Sequence, residues 1–306
     1  MTIIEQEKFW LHVPFEIVGG NLSGSHGALL TLLGHNAKLH VMPALVEPPG
    51  QARAWVHWLM FDPMTEVDAQ TLVASLRARV PAFSVFEGVA GNVVLTLPAS
   101  DIQNASTSAG GRAFYDGRAI SLGLADRVPQ PTWMAGYGSV IYTAELLTRM
   151  NECPPVTDDR LLAALELWAT ASYENLPRTK FLTYMTILDS LSIQAKREEA
   201  IVHWIDAKIQ EAQVLNDPGI VGALGNLKRV SHKAALKALV GRAAAQAGLT
   251  TPDANVKIKL VGALYDTRSE LSHKGGDARL DPASDRDLAA FVLRAAINSP
   301  SILEAE

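Results

Sequence analysis

Cysteine is nearly absent. Cys153 is the only one in 306 residues, so the chain has no disulfide framework and lacks the ligands of a Cys-rich zinc site. Long apolar runs are missing too. No window reaches the roughly 18 uninterrupted apolar residues of a membrane span. The opening segment carries Glu5 and Glu7 where an export signal needs a basic stretch and an apolar run. Net positive charge is absent: the formal charge is −5, which excludes a general polyanion binder and leaves room for a local basic patch. With 48% hydrophobic and 19% charged residues, the composition is globular rather than disordered, collagen-like or coiled-coil. These absences together predict a soluble, bacterial-type cytoplasmic protein with no membrane contact.

What is present divides the chain in two. The fold class expected is α+β: a mixed α+β domain over 1–155, followed by an all-α bundle over 156–306. Trp10–Val18 and Ala54–Phe61 read as strands, the second closed by Asp62-Pro63. Phe83–Phe86 and Asn92–Leu97 read as a strand pair joined around Gly88–Gly91. One helix, Asp68–Arg79, places Leu72, Val73, Leu76 and Val80 on one face. Asn104–Gly111 reads as a loop or linker. Cys153-Pro154-Pro155 marks the boundary, with Thr157 to cap the next helix. A bundle of about five or six helices is then expected, drawn from the helical stretches 161–173, 181–193, 200–214, 220–247 (one kinked or two shorter helices), 255–272, and 285–298 behind a Ser284/Asp287 capping pair. Trp168, Tyr173, Phe181, Tyr184 and Trp204 fall on helical stripes and read as core.

In the segment 256–276, an apolar stripe runs Val256, Leu260, Leu264 and Leu271, and Arg268 occupies the position between the last two. A guanidinium on a buried face is costly unless paired or facing a groove. His273 follows five residues later, about 140° around an ideal helix. Gly275-Gly276 offers a cap toward which the last turn can unwind. Arg offers bidentate donors to a phosphate, and a nearby imidazole can move a proton to or from a sugar oxygen.

The string Leu264-Tyr265-Asp266-x-Arg268-Ser269-x-Leu271-x-His273-x-Gly275 resembles the Arg-x4–6-His signature of HEPN domains, and within them the ApeA-like group of prokaryotic defence proteins. Upstream, Lys180–Leu191 is similar to that group's F-L-x-x-x-T-A-L-E-x-L helix, with Asp189 where Glu is common. The resemblance covers about 158–299 and does not extend to the first half. It implies a helical bundle that homodimerises, two motifs facing across the twofold axis, and metal-independent endoribonuclease activity of an anti-phage or toxin-type effector. It assigns Arg268 to the scissile phosphate and His273 to general acid–base work, with Ser269, Asp266 and Tyr265 in support. Ser269 stands where Asn, Asp or His is more usual. The alternative the resemblance allows is a non-catalytic HEPN module binding nucleic acid, a nucleotide or a protein partner.

A basic run supports an RNA surface. Between Asn226 and Lys259 lie Lys228, Arg229, Lys233, Lys237, Arg242, Lys257 and Lys259, against the single acid Asp253. Lys274 extends the set beyond the motif. The partners expected are RNA, a second copy of the chain, and an activating ligand or protein at the first domain. No cofactor is implied. His12, His26, His35, His40 and His57 match no metal-ligand spacing, so no metal site is expected.

Overall fold

The computed structural model of the chain describes residues 7–18, 20–43, 54–91, 93–104, 106–107, 113–114, 120–124, 129–130, 135–137, 141–174, 176–274 and 280–304. Two compact units comprise 1–157 and 158–306, and the fold class is α+β.

The first unit is built on a mixed sheet. Its strands are β1 (Phe9–Val18), β2 (Leu29–Leu32), β3 (His35–Pro43), β4 (Ala54–Met64), β5 (Val94–Thr96), β6 (Gln103–Asn104) and β9 (Ser121–Leu124), with β11 (Ala135–Tyr137). The order is β2-β3-β4-β1-β9-β6, with β11 added on β4 and β5 on β1. β7 (Ser106–Thr107), β8 (Ala113–Phe114) and β10 (Pro129–Gln130) form a second, small sheet. β1 is central and covered on both faces: Leu11, His12, Val13 and Phe15 are all fully buried. Pro14 lies opposite Trp58 in the β4 ladder and, on the other side, falls between the segment paired to β9 and the segment paired to β5. β4 runs on through Asp62-Pro63 instead of ending there, because Pro63 sits where the β1 register shifts.

The helix expected over 68–79 is α1 (Glu66–Gly91), and it absorbs the strand expected at Phe83–Phe86. Ala82, Phe83, Ser84 and Val85 are all buried, so packing on every side outweighs the β-like composition. Pro81 lies inside this helix, and the Val156 N–H donates to the Ala78 carbonyl in the turn it interrupts. β5 therefore pairs with β1 rather than with 83–86, and Ser84 ties it to the helix through both the N–H and the C=O of Leu95. A short α2 (Glu145–Thr148) follows. The linker expected at 104–111 contributes strand residues where it is described, and its remainder lies outside the described residues.

The second unit consists of α3 (Asp159–Ala171), α4 (Pro177–Leu191), α5 (Glu199–Gln213), α6 (Pro218–Asn226), α7 (His232–Gln246), α8 (Thr251–Lys274) and α9 (Pro282–Asn298). Its core joins Leu161, Leu165 and Trp168 of α3 with Phe181, Leu188 and Leu191 of α4, Leu236 and Leu239 of α7, and Val292 and Leu293 of α9. Two caps differ from expectation. Asp158, not Thr157, accepts from Leu161 N–H, and Asp281, not Ser284, accepts from the first turn of α9. α5 is turned from the expected stripe, burying Val202 and Ile205 and leaving Trp204 59% exposed. Tyr173 is likewise exposed.

Candidate functional site

The site is assembled from α4, α7 and α8. α4 buries Phe181, Tyr184, Met185, Leu188 and Leu191, and Asp189, between the last two, sits half-buried at the margin of the core. Ser192 closes the helix, its N–H donating to the carbonyls of Leu188 and Asp189. The segment after it is held against the segment before α7. Val230 N–H donates to the Ala195 carbonyl, Arg197 N–H to the Lys228 carbonyl, and Gln194 Nε2 to the Val230 carbonyl at 2.7 Å. This pairing fixes Arg229 and delivers the chain to Ser231, whose Oγ caps α7 by accepting from Ala234 N–H. His232 is the first helical residue. Across from them, Tyr265 and Arg268 stand three residues apart on one face of α8.

These elements enclose an open pocket of about 420 Å³, lined by Asp189, Ser192, Ile193, Gln194, Arg229, His232, Tyr265 and Arg268. Arg268 pairs with Asp189 through Nη1 and Oδ2. The Arg268 side chain is 37% exposed, so the guanidinium does not lie on a buried stripe as the sequence pattern implies. α8 is rotated: Val256 is exposed, and full burial falls on Val261 and Gly262. Asp189 is half-buried, and burial pushes its carboxyl above the ordinary range, with Arg268 and His232 pulling the other way. Its Oδ1 is buried without a hydrogen-bond partner. The arrangement is therefore an arginine held by one contact to an undersatisfied carboxylate, facing a second arginine and an imidazole across a cavity.

The expected site residues separate. Arg268, Tyr265 and Arg229 meet in the pocket. Asp266 does not; its carboxylate accepts from Lys233 Nζ at 2.6–2.7 Å. Ser269 is exposed on α8, and the lining of the pocket does not include it. The helix backbone continues through Lys274, so the turn expected to unwind is helical. The side chains of His273 and Lys274 lie outside the described residues.

The basic run does not form one free surface. Lys228 pairs with Asp206 and Lys233 with Asp266. Arg242 Nε donates to the Ile302 carbonyl at 2.7 Å, and Lys257 sits 4.4 Å over the Phe291 ring. Lys237 reaches over α8 where Gly262 leaves room: a Cβ there would meet its Cε at 2.7 Å. Arg229 and Lys259 are exposed and make no ion pair among the described residues.

Sequence reasoning missed His232 and gave Asp189 no role in the site. Asp189 was visible within the helix resembling the HEPN pattern, whereas no spacing relation marks His232. In the first unit, His26, His40, Trp58 and His12 lie ring to ring, at 5.6, 5.0 and 6.0 Å in succession. Burial lowers the pKa of His12 to about 3 and of His40 and His57 to about 4, so these rings are neutral. His57 Nε2 accepts from Leu22 N–H and His26 Nδ1 from Val41 N–H. Among the described residues, no three metal-ligating side chains converge and no helix is long and apolar enough to cross a membrane. Cys153 is buried, its thiol pushed up to about 11. No protein-family model, curated protein or solved structure matches the chain.

Proposed function

We propose that the helical unit is a metal-independent endoribonuclease that cleaves RNA at a site completed by a second copy of the chain. In this reading the protein is a cytoplasmic, prokaryotic defence or toxin-type effector, and the first unit receives the activating ligand or partner. The observation that carries the RNA chemistry is the convergence of Arg268, Arg229 and His232 on one open pocket. Two guanidiniums offer paired donors to a phosphodiester and to the charge that builds on it in the transition state.

The reaction this supports is internal transesterification. The ribose 2′-oxygen attacks phosphorus while its proton passes to a base. The bond from phosphorus to the 5′-oxygen breaks, and an acid protonates the departing oxygen. A 2′,3′-cyclic phosphate and a 5′-hydroxyl result, with no water consumed. Arg268 holds the phosphate, and His273, by the HEPN resemblance, moves one proton.

The test is incubation of the purified chain with total RNA and tRNA in EDTA. Wild type is expected to cleave, and Arg268→Ala and His273→Ala to lose cleavage by at least about 100-fold with an unchanged dimer profile. EDTA-sensitive cleavage, or cleavage retained by both variants, contradicts the reading. A second reading, a non-catalytic binding module, is favoured by the Asp189–Arg268 pair, which occupies part of the guanidinium. It predicts RNA binding weakened by Arg268→Ala with no cleavage by wild type.

A further inference from the structure

We propose that the pocket between α4, α7 and α8 is a single-nucleotide site: Arg229 and Arg268 grip one phosphate from opposite walls, His232 hydrogen-bonds it, and the base lies against Tyr265. This deepens the ribonuclease reading and rests on it only for taking the nucleotide from an RNA strand.

Four observations carry it. First, Arg229 and His232 make no ion pair among the described residues, yet both turn to the cavity that holds Arg268. Elsewhere in the unit, Lys228 and Lys233 are each paired with a carboxylate and Lys257 lies over a ring. Second, the wall bearing Arg229 is preorganised by backbone pairing, so little order is lost when an anion arrives. Third, Asp189 holds Arg268 through one oxygen while its other oxygen is buried and unpartnered. A phosphate reaching Arg268 therefore competes with a single contact, and burial already disfavours the charge on that carboxylate. Fourth, the lining is two-natured. Ile193 and Tyr265 give an apolar surface beside the cations, which suits a base joined to a phosphate better than a bare anion. The volume, about 420 Å³, is within the usual range of small-ligand sites.

The experiment is calorimetric titration of the full chain with AMP, GMP, CMP and UMP in turn, with the matching nucleosides and with inorganic phosphate. At least one mononucleotide is expected to saturate one site per chain, at least about tenfold more tightly than either its nucleoside or phosphate. Arg229→Ala and His232→Ala should each weaken it by about tenfold or more. Both side chains are exposed, and neither supports the backbone pairing, so circular dichroism should match wild type. Absence of binding by every mononucleotide, unchanged affinity in both variants, or phosphate binding as tightly as the nucleotides would each overturn the proposal. Nucleotide binding without RNA cleavage leaves this site standing and removes the ribonuclease reading.

Discussion

The two units treat their ionisable groups in opposite ways. The sheet unit buries imidazoles and keeps them neutral. His12 and His57 are fully buried, and burial, His26 and Lys38 all disfavour a proton on His40. The helical unit buries one carboxyl, Asp285, and places its ion pairs at or near the surface. Its acids and bases meet in pairs such as Arg268–Asp189 and Lys233–Asp266, and its pocket opens to solvent. A buried neutral ring can pack and accept a hydrogen bond, but it cannot meet a polyanion. A half-exposed guanidinium can. This contrast places candidate chemistry in the second unit, although the first has more histidines.

The contrast can be broken most sharply by activity. Arg268→Ala should lower RNA cleavage by at least about 100-fold, while His40→Gln in the sheet unit leaves it within about threefold, measured on the same tRNA. Equal losses would erase the division of labour.

Acidification should separate the units next. His12, His40 and His57 each have a folded pKa below the unfolded value near 6.5, so their stabilising contribution is complete above pH 6.5 and is lost as pH falls toward 4. For His12 and His57 that loss is about 2 kcal/mol each by pH 5. Asp285 in α9 runs the other way. Burial and Asp281 raise its pKa to about 6, so its ionised form costs stability above pH 6, and the cost eases as pH falls through that value. Hydrogen exchange on the intact chain, corrected for intrinsic rates, should show β1, β3 and β4 opening more readily at pH 5 than at 7.5, with α9 no less protected. Parallel loss in both units would refute the assignment.

Two smaller effects sharpen the picture within the helical unit. Asp285→Asn should stabilise it at pH 7.5 by about 1 kcal/mol and remove its pH response, read by thermal unfolding at both pH values. Asp158→Ala should cost about 1 kcal/mol by removing the α3 cap, detectable as faster exchange at Leu161.

Periodicity made the helices legible because each carries a one-sided apolar pattern, as Phe181, Leu188 and Leu191 do in α4. It failed where burial is not one-sided. The 82–85 segment of α1 is covered all round, and its β-rich composition read as a strand. It failed again for α8, where Val256, Leu260 and Leu264 suggest a stripe but Val261 and Gly262 are the buried positions. That rotation is why Arg268 is paired and half-exposed rather than embedded. In the candidate site, Arg268 and Tyr265 were legible as a motif on one helix. His232 was not, because only the pairing of 194–197 with 228–230 brings the start of α7 to α8. Charge counting overstated the basic surface, since sequence cannot show which lysines a fold has already paired.

The most direct test of the proposed RNA site is photocrosslinking of the intact chain to a 4-thiouridine-containing RNA, with crosslinked peptides mapped by mass spectrometry. The crosslinks are expected within 189–194, 227–232 and 265–274 and should fall sharply in Arg268→Ala. Crosslinks concentrated in 7–157, or unchanged in that variant, would contradict the assignment of RNA chemistry to the helical unit.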